Sequence, residues 1–284
     1  MGISGLALWK SATPAAINQI VENIRSNQYV GGPMGRWYVH ARTYRSPPYP
    51  KRAVYALSMN DATFVVAEDT EAPMPTALTE GGKDAEGGGG VERAEEGLPP
   101  HQRYTTVTLN ANQPLDLLLA QMRWMPGRAQ PTEVAVGAAG TTPAQVTSTL
   151  PVYIEGGMFS IEKDWVCKMG SLVTTGGMPR GVILEADYLP ALAQSEQSPR
   201  LIEEFFYRIM PPAFREALQI STLTPAESEW LIHAHNVGVD DGDDIYCSPE
   251  DTLGGEKPEP DSSALHANKR NFLLFRTLQR ENWL

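Results

Sequence analysis

Glu185 and Asp187 stand two residues apart in a segment that alternates Val182, Leu184, Ala186 and Tyr188 with Ile183, Glu185 and Asp187. On a strand, that spacing points both carboxylates to the same side. Glu162 and Asp164 repeat it just upstream. Carboxylates presented in this way are hard ligands for a divalent cation, and a cation so held can assist hydrolysis at phosphorus. The simpler reading is the solvated face of an antiparallel sheet, where alternation places polar residues without any chemistry. A polyphosphate site needs further acidic and basic strands, and the sequence lacks them. No catalytic, cofactor-binding or metal-ligating residue is therefore assigned.

Other candidate groups resolve the same way. His233 and His235 diverge on a helix, so they do not share a metal easily. The acids that follow, Asp240, Asp241, Asp243 and Asp244, do not fit a calcium loop: aligning Gly242 with its sixth position puts Val237 first and Ser248 last. Trp37, Tyr38, Arg42, Tyr44 and Arg45 interleave aromatic and basic residues, as surfaces for single-stranded nucleic acid do. A strand with a buried aromatic face explains that pattern equally, and the chain's charge favours it. The glycines of 31–35 and 176–181 match neither phosphate-loop nor dinucleotide spacing. Cys167 lies mid-strand and reads as packed rather than reactive.

The 284 residues carry a formal net charge of −11, against a direct grip on nucleic acid or anionic lipid. Cys167 and Cys247 are the only cysteines, too few for a disulfide framework or a four-thiolate zinc site. The opening MGISGLALWK lacks the basic start and apolar core of a secretory signal. No apolar run approaches the ~20 residues of a membrane span, so a soluble intracellular protein is expected.

The elements that would position these residues follow from period and punctuation. Residues 3–9 read as a strand, and Thr13-Pro14 opens a helix with Ile17, Ile20, Val21 and Ile24 on one face. Strands are predicted over 37–45, 54–59 and 63–68, with 46–50 a proline loop and Asn60-Asp61 a turn. A short helix covers 114–125, with Leu115, Leu118, Leu119 and Met122 as its apolar face. Residues 152–161 form a strand bent at Gly156-Gly157. It leads into a hairpin over 165–190 whose turn is the Gly-Gly-Met-Pro-Arg-Gly run of 176–181. Helices then open at Ser198-Pro199 and at Thr224, where Glu227 completes a capping box. A last amphipathic helix spans 269–284. Acidic, Gly-rich or proline-containing inserts at about 71–103, 127–149 and 240–263 bury too little to order themselves. The fold class expected is α+β: an antiparallel β-barrel-like sheet flanked by helices, in a single domain over 1–284 with long disordered inserts.

In that order, LALWKSATPAAINQIVENI, RWYVHARTYRS, YALSMNDATFVVAED and VCKMGSLVTTGGMPRGVILEADYLP resemble the Mediator complex subunit 20 proteins of fungi. These belong to the TATA-binding-protein-related-factor family. The matched stretches cover roughly a third of the chain and flank the main insert. The resemblance implies a barrel flanked by helices and a non-enzymatic, nuclear role in the head module. There the chain would pair with Mediator subunit 18 and serve RNA polymerase II transcription, with no cofactor and no direct contact to nucleic acid or membrane. The family barrel is also similar in shape to the triphosphate tunnel enzymes. The alternative function is therefore a metal-dependent tripolyphosphatase using Glu162, Asp164, Glu185 and Asp187.

Overall fold

A computed structural model describes residues 2–10, 12, 15–26, 32–60, 62–73, 102–110, 114–127, 151–174, 177–190, 198–240 and 262–284. Its strands are β1 (Ile3–Lys10), β2 (Pro33–Ser46), β3 (Tyr49–Met59), β4 (Ala62–Asp69), β5 (Tyr104–Asn110), β6 (Met125–Pro126), β7 (Val152–Ile161), β8 (Trp165–Thr174), β9 (Met178–Tyr188) and β10 (Leu218–Ser221). The helices are α1 (Ala15–Ser26), α2 (Leu115–Gln121), α3 (Ser198–Ile209), α4 (Pro225–Asp240) and α5 (Ser262–Arg280). All pairings are antiparallel, in the order β10-β1-β9-β8-β7-β2-β3-β4-β5, with β6 beside β2. The result is an open, barrel-like antiparallel sheet flanked by helices, the α+β class expected from the sequence.

Alternation along the strands gives the sheet two apolar faces. The inner one carries Leu6, Val39, Leu57, Phe64, Val66, Ile154, Leu172 and Ile183. It is filled by Trp230 and Leu231 of α4 and by Phe272, Phe275 and Leu278 of α5. The outer one carries Ala7, Cys167, Met169, Val182, Leu184 and Ala186 under α1 and α3. There Ile20 and Ile24 of α1 and Ile202, Phe205 and Phe206 of α3 are buried at helical spacing, as the sequence stripes predict. α3 lies so close to β1 that a Cβ on Gly5 would sit 2.1 Å from Ile202 Cγ2, which is why glycine stands there.

The capping box forms as expected. Glu227 N–H donates to Thr224 Oγ1 at 3.2 Å, and Thr224 N–H donates to Glu227 Oε2 at 3.0 Å. Thr224→Ala should cost about 1 kcal/mol, read as a lower urea midpoint with an unchanged slope.

Several boundaries differ from expectation. Of the 46–50 loop, Pro47 and Pro48 form the whole turn, and Tyr49-Pro50 already belong to β3 with Ser46 paired to Tyr49. The 176–181 turn is shorter than predicted: β9 starts at Met178, and a register shift at Leu172/Val173 admits Pro179 into the strand. Leu115 and Leu119 of α2 are buried, but Leu118 and Met122 face solvent. β5 and β10 have no counterpart in the sequence reading. α5 begins seven residues earlier than expected, at Ser262. The Thr13-Pro14 cap, Asp61, Cys247 and nearly all of the three inserts lie outside the described residues. Where the first insert meets the sheet, Arg103 N–H donates to Pro73 O at 2.9 Å. Among the described residues no helix is long and apolar enough to cross a membrane.

Candidate functional site

β9 sits between β1 and β8, and its register fixes which side chains meet on the inner face. Glu185 lies opposite Lys168 of β8, and Asp187 lies opposite Ser4 of β1. α5 runs over this row and brings down His266 and Arg270, which a spacing of four places on one side of the helix. The two acids therefore do not form a solvated sheet face, contrary to the sequence reading. Glu185 and Asp187 are each 2% exposed and Lys168 is 7% exposed. The cover comes from a helix some eighty residues downstream, which no local pattern around β9 announces.

Each carboxylate is held by several partners. Lys168 Nζ donates to Glu185 Oε1 at 2.5 Å, and Arg270 Nε lies 3.1 Å from the same oxygen. Arg270 Nη1 donates to Asp187 Oδ2 at 3.2 Å, and Ser4 Oγ donates to Asp187 Oδ1 at 2.6 Å. His266 Nε2 stands 3.6 Å from Asp187 Oδ1 and 3.4 Å from Ser4 Oγ. Burial alone would raise the Asp187 carboxyl, but His266, Arg270, Lys168 and Ser4 together hold it well below the usual carboxylate range. Burial opposes the charge on Arg270, and Glu185 and Asp187 more than restore it. Behind the row, burial pushes the Cys167 thiol up, so this cysteine is packed and uncharged.

The chemistry open to this arrangement is narrow. Two cations face two anions at hydrogen-bonding distance. The Ser4 hydroxyl donates its hydrogen bond to a carboxylate, and the same imidazole nitrogen faces both Ser4 and Asp187, so the three do not form a nucleophile–base–acid relay.

Glu162 and Asp164 are not brought to the row. They sit in the exposed β7–β8 turn, where Glu162 and Lys163 take left-handed φ of 52° and 66°. Glu162 Oε2 pairs there with Arg208 Nη2 at 3.0 Å. Among the described residues no group of three or more His, Cys, Asp or Glu is placed to hold a metal ion. His233 is exposed on α4, while the side chain of His235 and the acids from Asp241 on lie outside the described residues.

The aromatic and basic strand also divides. Trp37 is buried in the inner core, whereas Tyr44 is buried on the opposite side beneath α2. Arg42 Nη1 lies 2.6 Å from Asp116 Oδ2, and Tyr44 also donates to that carboxylate. These residues make no common stacking platform.

A second buried network was not foreseen. Glu68, 4% exposed, accepts from Arg103 Nε at 2.9 Å, from Tyr55 Oη at 3.1 Å and from Gln279 Nε2 at 2.7 Å. Burial, aided by Glu68, pushes the Tyr55 phenol up to about 12. Beside it, Arg276 reaches Tyr104 Oη at 2.9 Å and Glu227 Oε1 at 3.2 Å. α5 is thus pinned toward both ends by buried charge. The missed members left faint signals: Lys168 stands inside an apolar strand run, and Arg270 lies one turn past His266.

No family model matches the chain, and no curated protein matches it. Among solved structures, a protein from Pyrococcus horikoshii OT3 is 12% identical over 81% of this chain and 98% of that one, with a TM-score of 0.36. A chain of the Schizosaccharomyces pombe Mediator head module is 10% identical over 73% and 92%, with a TM-score of 0.35. The inorganic triphosphatase NE1496 is 6% identical over 70% and 77%, with a TM-score of 0.27.

Proposed function

We propose that this chain is a non-enzymatic subunit of Mediator. In this reading it pairs with Mediator subunit 18 in the head module, acts in the nucleus and supports RNA polymerase II transcription without touching nucleic acid itself. The ordered sequence resemblance motivates the reading. The observation that carries it is the state of the inner face, which the chain's own α5 fills with Phe272, Phe275 and Leu278. Phosphate binding draws on surplus cations, and four cations at this face are already committed. Lys168 and Arg270 face Glu185 and Asp187, Arg103 faces Glu68, and Arg276 faces Glu227. A barrel-like sheet filled and neutralised by its own α5 serves as a scaffold whose outside is its working surface.

Co-expression with subunit 18 of the same organism should give a heterodimer that survives size exclusion in 0.5 M salt (an ionic strength on the order of that which removes surface steering). Two species eluting separately would sink the assignment. Manganese-dependent phosphate release from tripolyphosphate, lost on Glu185→Ala with Asp187→Ala, would replace it with the hydrolase alternative.

A further inference from the structure

α5 fills the inner face but not all of it. At the end of the sheet where β3 turns into β4, a cavity of about 600 Å³ remains between the strands and helices α4 and α5. Its walls are mostly apolar. Trp37, Met59 and Leu231 line it, and Ala234, Ala264 and Ala267 leave it room on the helical side. Size and lining are those of a small-molecule site, which needs only a few polar groups to orient its ligand.

Three such groups are present, Lys168, Arg270 and Asn271. Asn271 is 7% exposed, and its side chain makes no hydrogen bond among the described residues. Asn268, one turn earlier, does have a partner, accepting from Thr108 Oγ1 at 2.8 Å. The Asn271 amide is not one of the fully enclosed polar groups that lack a partner, so it opens into the cavity. A buried amide left unpaired costs stability, and leucine is the better helix former at such a place. The two cations, by contrast, are matched: Lys168 faces Glu185, and Arg270 faces Asp187. An anion in the cavity would unbalance that buried group, and a cation would meet Lys168 and Arg270. The occupant that fits carries no net charge.

We infer that this cavity binds an uncharged, flat heterocycle whose rim carries a hydrogen-bond donor beside an acceptor. Asn271 supplies the complementary acceptor and donor, as asparagine does to the N6/N7 edge of adenine, and the apolar walls take the ring. The inference concerns the inner side of the sheet and does not depend on the Mediator reading.

The test titrates the full chain with adenine, uracil and nicotinamide, followed by ligand-observed NMR. Indole, a ring of similar size without the paired edge, is the comparison. At least one of the first three should bind with a Kd below about 1 mM, and indole should bind roughly tenfold more weakly. Asn271→Leu should weaken the binding about tenfold while keeping or raising the melting temperature. Ala267→Leu, which fills the cavity from α5, should abolish it. No binding by any of the three overturns the inference. Indole binding as tightly as the best of them also overturns it, since the site then selects apolar bulk alone. Binding that Asn271→Leu leaves unchanged overturns it as well. Should that variant fail to fold, Ala267→Leu decides, and unchanged binding there has the same consequence.

Discussion

Arg270→Met should destabilise the protein by about 3–5 kcal/mol, because removing one member of a buried ionic cluster strands the others. Glu185 would keep Lys168 at 2.5 Å, and Asp187 would keep Ser4 at 2.6 Å, but two carboxylates would share one fixed cation. The melting temperature should fall by on the order of 10 °C. Adding Asp187→Asn should restore much of the loss, since it rebalances the charge; failure to do so would show that lost packing of the arginine stem, not charge, carries the effect. The pH dependence has a defined sign. The folded Asp187 lies below its ordinary value of 3.8, so its contribution is complete above that value and fades as the pH falls through it toward the folded pKa. The gap between Arg270→Met and wild type should therefore narrow in acid, where the stranded carboxylates can take up protons. A gap that is constant from pH 7 to 3 would count against the cluster as the cause.

Gly156→Ala should come close to abolishing folding. A Cβ there would lie 1.8 Å from Met169 O and 2.5 Å from Gly170 Cα, both backbone atoms of the paired strand, so no side-chain rotation relieves the conflict. The β7–β8 ladder would have to part at its centre, at a cost at or above the ~3 kcal/mol upper end of ordinary overpacking. Gly157→Ala is the built-in control. Its Cβ would meet first the Phe159 ring at 3.2 Å, which can turn aside. Soluble yield and thermal melting of the two variants should differ sharply, and equal behaviour would refute the close-approach account.

That glycine pair also shows how far the sequence could be read. Gly156-Gly157 stands out in the sequence as a bend, but its partner's backbone atoms do not, and they decide which of the two is indispensable. The alternation of β9 was legible residue by residue, down to which residues share a face with Glu185. Whether that face met water was not, because Arg270 and His266 arrive from α5. The start of α5 was obscured by SSALHAN, whose polar residues run on from the acidic 240–263 segment. β5 was hidden differently: YTTVTLN is a threonine-rich edge strand beside an insert, with four of its seven residues exposed and no apolar period. The capping box at Thr224 and the stripes of α1 and α3 were readable because their causes lie within one or two turns.

β1 pairs along its whole length with β9, Ile3 with Tyr188 through Lys10 with Gly181. On the ribosome, at 5–20 residues per second, the first strand waits roughly 10–35 s for the second to appear. Ser4 waits longer still, for His266 and the cover that α5 provides. Until the last helix leaves the exit tunnel, the inner face is an unfinished groove with Glu185, Asp187 and Lys168 open to water and apolar rows on either side. Nascent chains of this protein thus hold this face open to water for a long interval before α5 can cover it.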